Sequence, residues 1–428
     1  MKPSIYNSCI PLRNGYVLVY NATTDAYAIC NAAAITTDGH RITACDEAVE
    51  RKLAEIGAFV DDDADEAADL AAFIDRNDND ASVFQLHINP TLNCNFRCWY
   101  CYENHQAGSM MGEEVLGSVL NLITRIVKRP GLKQLSLSFF GGEPLMYFDK
   151  VAGPITKHAA AECRACGVKL HVHFTSNAYL LTPHILDSLA GISTSFQITL
   201  DGARELHDKV RCTASGAGSY DAIVANIHSA ILAGFPVVAR INYSSANIDS
   251  VLSIVEDFKH WGEEKELLSV DLQRVWQDKE GGPSEDSTLE AVARTMESFR
   301  RAGLRCTSPA MLNSVKSPCY GDRRHNLLVN YDGNLFFCTA RDFTLENSSG
   351  RLLPDGTPRW HDSEVLERRM KAKFSRPACR KCRIAPICGG GCRQKAVERP
   401  VTEACMHGYS ERDIDTQIIR RFEQRHVL

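Results

Sequence analysis

The chain has 428 residues, 44% hydrophobic and 24% charged, with 48 basic against 53 acidic side chains and a net charge of −5. That is the composition of an ordinary globular protein, long enough for two or three domains. It excludes a global pull towards nucleic acid or anionic membrane. The start, Met1-Lys2-Pro3-Ser4-Ile5-Tyr6-Asn7, lacks the apolar core of a signal peptide and no long apolar run follows, so a cytoplasmic location without membrane contact is expected. In that compartment seventeen cysteines read as metal ligands rather than as a disulfide framework.

In chain order, residues 1–80 carry a hairpin-like pair at Val17–Tyr20 and Tyr27–Cys30 and a helical pattern from Asp46 to Ile56. The polar, turn-rich stretch Ile74 to Asp80 then predicts a boundary, leaving a small α+β leading domain. From residue 81, strands are predicted at 84–89, 134–140, 170–176, 195–200, 237–243 and 268–275. Helical patterns fall between them at 113–127, 149–166, 183–190, 220–233 and 248–261, with another at 289–302. Repeated βα units predict an α/β fold, a parallel (β/α)6 partial barrel over 81–305 with ligands at the carboxyl ends of its strands. After residue 306 the alternation gives way to short strands, glycines and cysteines, which predicts a cluster-stapled domain over 306–428.

The first strand runs into Cys94-Asn95-Phe96-Arg97-Cys98-Trp99-Tyr100-Cys101. Chance would place such cysteine spacing about 0.03 times in a chain of this composition. Three thiolates on one loop hold three irons of a cubane cluster and leave the fourth open to a chelating small molecule. A structural zinc ion takes four ligands, and the nearest fourth candidate, His105, adds an unusual spacing.

This loop resembles the signature of the radical S-adenosylmethionine (SAM) superfamily, aromatic Tyr100 included. Gly141, Gly142, Glu143 and Pro144, ending the second strand, are similar to that family's GGEP motif. The resemblance implies that their backbone receives the amino group of SAM, an approach that glycine permits. Ser176 and Asn177 end the third strand, and Thr199 and Asp201 the fourth, leading to His207, Asp208 and Arg211. By resemblance these make ribose and carboxylate contacts, while Arg240 and Val275 approach the SAM carboxylate and adenine. Isolated Ser-Asn and Asp-Gly pairs are ordinary turns, and a buried ion pair and a core valine explain Arg240 and Val275 equally well.

Towards the end come Cys319, Cys338, Cys379, Cys382, Cys388, Cys392 and Cys405. Chance gives the run of four from 379 to 392 about 0.001 times. The array resembles the SPASM domain of radical SAM maturases; a zinc ribbon is the structural alternative. The resemblance implies one auxiliary cluster on Cys379, Cys382, Cys388 and Cys405 and another on Cys319, Cys338 and Cys392. With the SAM cluster on Cys94, Cys98 and Cys101 that makes three [4Fe–4S] clusters. The second auxiliary set has only three cysteines, so either an iron stays open or His325 fills the place.

The same resemblance implies a 5′-deoxyadenosyl radical that modifies or crosslinks a residue of a ribosomally made precursor peptide, with flavodoxin or ferredoxin as electron partner. Sulfatase-type maturation to formylglycine is the alternative. In that group an Asp follows the cysteine matching Cys338, whereas this chain has Thr339, with Asp342 three residues on. The 93 residues before the first cysteine of the loop resemble leader-gripping domains, in which an edge strand pairs with an extended peptide. A non-catalytic zinc protein would leave the glycine turn and the cysteine loop unexplained together.

Overall fold

The computed structural model describes residues 1–38, 41–213, 215–275, 277–278, 285–308, 319–399 and 404–426. It divides the chain into two compact units, one of residues 1–80, 310–324 and 364–428, the other of residues 81–309 and 325–363. The cysteine-rich stretch, expected from 306 as one domain, is thus shared between the units. The reason is local: 325–363 supply strands to the large sheet, whereas the residues after 364 pack with the first eighty. No helix among the described residues is long and apolar enough to cross a membrane.

The larger unit is built on one sheet. Its strands are β1 Val83–Ile88, β2 Gln134–Phe139, β3 Lys169–Ser176, β4 Thr194–Leu200, β5 Val237–Tyr243, β6 Leu268–Arg274, β7 Arg305–Thr307, β8 Asn326–Val329, β9 Asn334–Phe336, β10 Gly350–Leu352 and β11 Pro358–Trp360. The order is β7-β6-β5-β4-β3-β2-β1-β8-β9-β10-β11. Neighbours from β7 to β8 are parallel, and β8 to β11 pair antiparallel. This is the parallel α/β core that the six expected strands imply, extended by β7 beyond β6 and by β8 beside β1. The added strands are only three and four residues long, too short for alternation to register in sequence.

Side-chain alternation decides which face holds the core. Leu135, Leu137 and Phe139 of β2 are fully buried, and in register Phe174 lies between Phe139 and Phe196. Their rings stack at 4.8 and 5.6 Å, so one aromatic row pins three strands together. That face is covered by helices such as Glu113–Val127, whose Val119, Leu122, Ile123 and Ile126 recur at helical spacing and are buried. The intervening positions, Thr175, Gln197, Thr199 and Arg240, are left to line a cleft.

In the smaller unit Tyr16–Asn21 is the middle strand of an antiparallel sheet between Asn7–Pro11 and Ala26–Asn31. Residues 74–78, which look like turn formers in sequence, instead end the helix Glu66–Asp78. Asp65 caps it by accepting from Ala68 N, and Leu70 and Ile74 are buried. Tyr6, Leu18, Tyr20, Leu70 and Ile74 share one apolar core with Ile384, Ile387, Ile414 and Ile418. Beside it lies a buried charge network. Asp78 accepts from Arg393 at 2.5 Å and from Lys373 at 3.5 Å, and Lys373 reaches Asp322 at 2.9 Å. Removing one partner of such a network leaves its neighbour charged in a dry environment, so the arrangement holds the chain ends of this unit together.

Candidate active site

The cysteine loop leaves β1 at its carboxyl end and is tied back on itself. Thr91 Oγ1 donates to Ser109 O at 2.5 Å, Leu92 N to Ser109 Oγ at 3.0 Å and Gln106 N to Leu92 O at 3.1 Å. A turn closed by Cys101 N to Cys98 O at 3.0 Å brings the last two cysteines together. Cys94, Cys98 and Cys101 all line one cleft of about 1010 Å³ counted out to its open mouth. From the predicted SAM contacts, Tyr100, Gly141, Gly142, Glu143, Ser176, Asn177, Thr199, Arg211, Arg240 and Val275 line the same cleft. Pro144 does not: it is buried at the start of a short 3-10 turn. Asp201 also stands behind the wall rather than in it.

The glycine turn is shaped by contact with the cysteine loop. Gly141 and Gly142 have φ of +80° and +50°, and a Cβ on Gly142 would lie 2.1 Å from Asn93 O. Glu143 N donates to that same oxygen at 2.9 Å. The Glu143 side chain is fully engaged, accepting from Ser176 Oγ and Asn177 N at 2.8 Å each and from Leu145 N at 2.9 Å. It therefore fastens the end of β2 to the end of β3. Asn177 Nδ2 in turn donates to Asn95 Oδ1 at 2.8 Å, inside the cysteine loop.

Tyr100 anchors the opposite side. Its hydroxyl donates to Asp201 Oδ2 at 2.5 Å and accepts from Arg211 Nη1 at 2.8 Å and Asn242 Nδ2 at 3.1 Å. Burial pushes the Asp201 carboxyl up while Arg211 pulls it down, and the phenol is driven above its ordinary value by burial. His207 holds this group from behind. Asp201 N donates to its Nδ1 at 3.2 Å, and its Nε2 meets Ser219 Oγ at 3.0 Å, a hydroxyl that donates to Arg211 O. An imidazole that accepts at Nδ1 is neutral, and burial with the nearby Arg211 pushes it down to about 3.

Since the unfolded chain takes that proton near pH 6.5, His207 contributes stability that is complete above that value and is lost as the pH falls towards 3. Between pH 7 and pH 5 the stability advantage of wild type over His207→Gln is expected to shrink by about 2 kcal/mol. Urea unfolding at the two pH values measures it; a constant difference would show that the imidazole is not held neutral.

The donor set fits an iron–sulfur cluster. Burial pushes the thiols of Cys94 and Cys101 up to about 12 and about 11. Bare thiolates are therefore disfavoured here, and a bound cation reverses that balance. Among the described residues no three His, Cys, Asp or Glu side chains converge closely enough to hold one metal ion. Three thiolates from one loop suit three irons of a cubane, each on its own iron. Among the described residues, Asn95 Nδ2, Glu103 Oε1 and Arg211 Nε are buried polar atoms around the site without a protein partner, and they mark where a polar ligand belongs.

Several lining residues escaped sequence reasoning, among them Glu103, Thr175, Gln197, Asn242 and Gln277. The strand positions were findable, since each shares a face with a residue already singled out. Glu103 had no such signal. Its Oε2 accepts from Gly142 N at 2.6 Å, and burial pushes its carboxyl up to about 7 against the pull of that bond.

In the smaller unit Cys379, Cys382, Cys388 and Cys405 line one cavity of about 210 Å³. Burial pushes the Cys388 thiol up to about 12. Cys319 and Cys392 belong to the same unit and Cys338 to the larger one. Within the larger unit His325 O accepts from Gln85 N at 2.8 Å, and Asn326 Nδ2 donates to Phe337 O at 2.8 Å. His325 and Cys338 are thus each one residue from a shared contact.

Residues 88–258 match the Radical SAM superfamily. Among curated proteins, the radical SAM cyclopropyl synthase TigE of Paramaledivibacter caminithermalis is 25% identical over 160 residues, 34% of this chain and 32% of that protein. Two solved structures share the fold. Native anSMEcpe with bound AdoMet has a TM-score of 0.57 at 17% identity, covering 81% of this chain and 98% of that one. Streptococcus suis SuiB bound to precursor peptide SuiA has a TM-score of 0.50 at 15% identity, covering 94% and 97%. Residues 88–258 thus match a radical SAM domain, and the fold is shared with anSMEcpe and SuiB.

Proposed function

We propose that this protein is a radical SAM maturase acting on a ribosomally made precursor peptide, where it modifies or crosslinks a residue through a carbon radical. The observation that carries the reading is the convergence of Cys94, Cys98, Cys101 and the glycine turn on one cleft at the carboxyl ends of parallel strands. SAM held there on a four-iron cluster supplies, on one-electron reduction, abstraction of a hydrogen atom from a substrate carbon.

The chain's own residues prepare that event. Cys94, Cys98 and Cys101 hold the cluster and leave one iron open. Gly141 and Gly142 let the ligand approach the backbone, and Glu143 keeps their turn against the cysteine loop. Arg211 and Arg240 balance a carboxylate, Tyr100, itself held by Asn242, keeps Arg211 in place, and Val275 with Phe140 narrows the cleft to keep water away. Cys379, Cys382, Cys388 and Cys405 would hold an auxiliary cluster, which would supply a route for electrons exchanged with a flavodoxin or ferredoxin. The resemblance also assigns a cluster to Cys319, Cys338 and Cys392.

SuiB, of the same fold, was crystallised with a precursor peptide, which supports a peptide substrate. In this chain Ala26–Asn31 is an edge strand with Ile29 exposed, and an extended leader can add to it by main-chain pairing. Sulfatase-type oxidation stands second. One contact favours it: Asn104 Nδ2, just after the cysteine loop, donates to Asp342 Oδ1 at 3.2 Å, placing a carboxylate near the loop despite Thr339.

The test is anaerobic reconstitution with iron and sulfide, then reduction with SAM and assay for 5′-deoxyadenosine. Iron counting separates one cluster, about four irons, from two or three, about eight or twelve. Bound zinc without SAM cleavage would overturn the reading.

A further inference from the structure

The face of the sheet that lines the cleft stays polar towards the amino ends of its strands. In register, His87 of β1, Ser138 of β2 and His173 of β3 stand side by side, with Ser195 of β4 next to His173. His171 lies two residues before His173 on the same strand and so on the same face. The interior of a parallel barrel is ordinarily filled by branched aliphatic side chains, so imidazoles and hydroxyls in these rows are not explained by packing.

Three hydrogen bonds join two histidines and two serines into one chain. Ser193 Oγ meets His171 Nδ1 at 3.2 Å, His171 Nε2 meets Ser195 Oγ at 3.1 Å, and Ser195 Oγ meets His173 Nδ1 at 2.9 Å. A neutral imidazole donates at one nitrogen and accepts at the other, and a hydroxyl does both. The protons of all three bonds can therefore point one way or all reverse together, and such a chain passes a proton from end to end by shifting each hydrogen within its bond. Burial, with His171 adding to it, pushes His173 down to about 4, and burial lowers His171 as well, so both rings are neutral at pH 7 as a relay requires. Both ends of the chain reach open space. Ser193 and His171 line a cavity of about 540 Å³ at the amino ends of the strands, together with Arg164 and Lys169. At the other end Thr175 and Gln197, two residues beyond His173 and Ser195 on the same face, line the cleft that Cys94, Cys98 and Cys101 border, about 7 Å further along.

We propose that Ser193, His171, Ser195 and His173 form a proton relay between solvent in the amino-end cavity and the substrate side of the cleft, with water spanning the last step to Thr175 and Gln197. Its use rests on the crosslinking reading of the function. When a substrate carbon radical closes a C–X bond onto a neighbouring X–H group, the X–H bond breaks, one electron leaves to an oxidised iron–sulfur cluster and one proton is left over. With a peptide seated over the mouth of the cleft, the relay gives that proton an exit at the opposite ends of the strands.

The test follows exchange of the histidine ring N–H protons with water, by proton–nitrogen NMR on the anaerobically reconstituted full chain with isotope-labelled histidine. His207 is the internal reference: it too is buried and neutral, but its Nε2 proton ends on Ser219 Oγ, whose own proton is held by Arg211 O. The ring proton of His173 is expected to exchange at least about tenfold faster than that of His207. Ser195→Ala is expected to bring the His173 rate to within about twofold of the His207 rate, and Ser195→Thr, which keeps the hydroxyl, to restore it. Exchange at His173 in wild type as slow as at His207 overturns the relay. So does fast exchange that survives Ser195→Ala, since the proton then enters from the cleft instead. Where Ser195→Ala does not fold, His171→Phe interrupts the same chain, with the same slowing expected. The exchange needs no SAM cleavage, so a failed 5′-deoxyadenosine assay would overturn the proposed function while the path through the sheet still stood.

Discussion

Replacing Cys94, Cys98 and Cys101 together by alanine is expected to remove about four irons per chain and to reduce 5′-deoxyadenosine formation below detection. The sheet is expected to stay folded. The three thiols line a cleft and are only half-buried, whereas the strands are held by rows such as Phe139, Phe174 and Phe196 at the core. The cysteines at 379, 382, 388 and 405 line a separate cavity, so iron bound there is expected to remain. Iron and sulfide analysis with circular dichroism and product assay reads all three consequences. Unchanged iron, or SAM cleavage that persists, would sink the assignment of this loop as the catalytic cluster site.

Gly142→Ala is expected to be nearly as damaging, by a different route. The new methyl group would meet Asn93 O at 2.1 Å and Leu92 C at 2.8 Å, all backbone atoms that cannot swing aside. Its φ of +50° adds strain of about 1–2 kcal/mol for any residue with a Cβ. Relief requires moving Asn93, which breaks its bond from Glu143 N and shifts Cys94 next to it. Loss of at least about 3 kcal/mol of stability and poor iron loading at the first loop are expected. Gly117 is the control, lying inside the helix Glu113–Val127 with nothing within 4 Å of its added carbon. Gly117→Ala is expected to raise stability by about 0.4–1 kcal/mol. Thermal unfolding of both variants decides, and equal melting temperatures would refute the argument from close approach.

How much of this was legible in the sequence depended on length and period. Strands of six to eight residues such as Gln134–Phe139 and Lys169–Ser176 alternate long enough to be read. Arg305–Thr307 buries one side chain, Cys306, and so carries no pattern; only its pairing with β6 makes it a strand. The helix Glu66–Asp78 was masked by its polar last turn, because Asp75, Asn77 and Asp78 look like turn formers. Yet Asp78 is buried with Arg393 and Lys373, partners some three hundred residues away that local reasoning cannot supply.

The site shows the same division. Cysteine spacing and the glycine pair are local signals and were readable. The partners of Tyr100, by contrast, come from Asp201, Arg211 and Asn242 on other strands and loops, and their convergence on one hydroxyl exists only after folding. The Glu143 side chain carries an opposite lesson: its place in the motif suggests a ligand contact, while its bonds make it a brace.

The smaller unit is assembled from both ends of the chain, and this has a consequence in time. Residues 1–80 leave the ribosome well before Ile384, Ile387, Ile414 and Ile418, which close their core. At ordinary synthesis rates the gap is on the order of half a minute. For that interval Leu18, Tyr20, Leu70 and Ile74 are without their final neighbours while the parallel sheet takes shape downstream. The leading segment is therefore the stretch of the nascent polypeptide with most to gain from a chaperone. Truncation near the C-terminus is expected to expose its apolar surface as surely as damage to the segment itself.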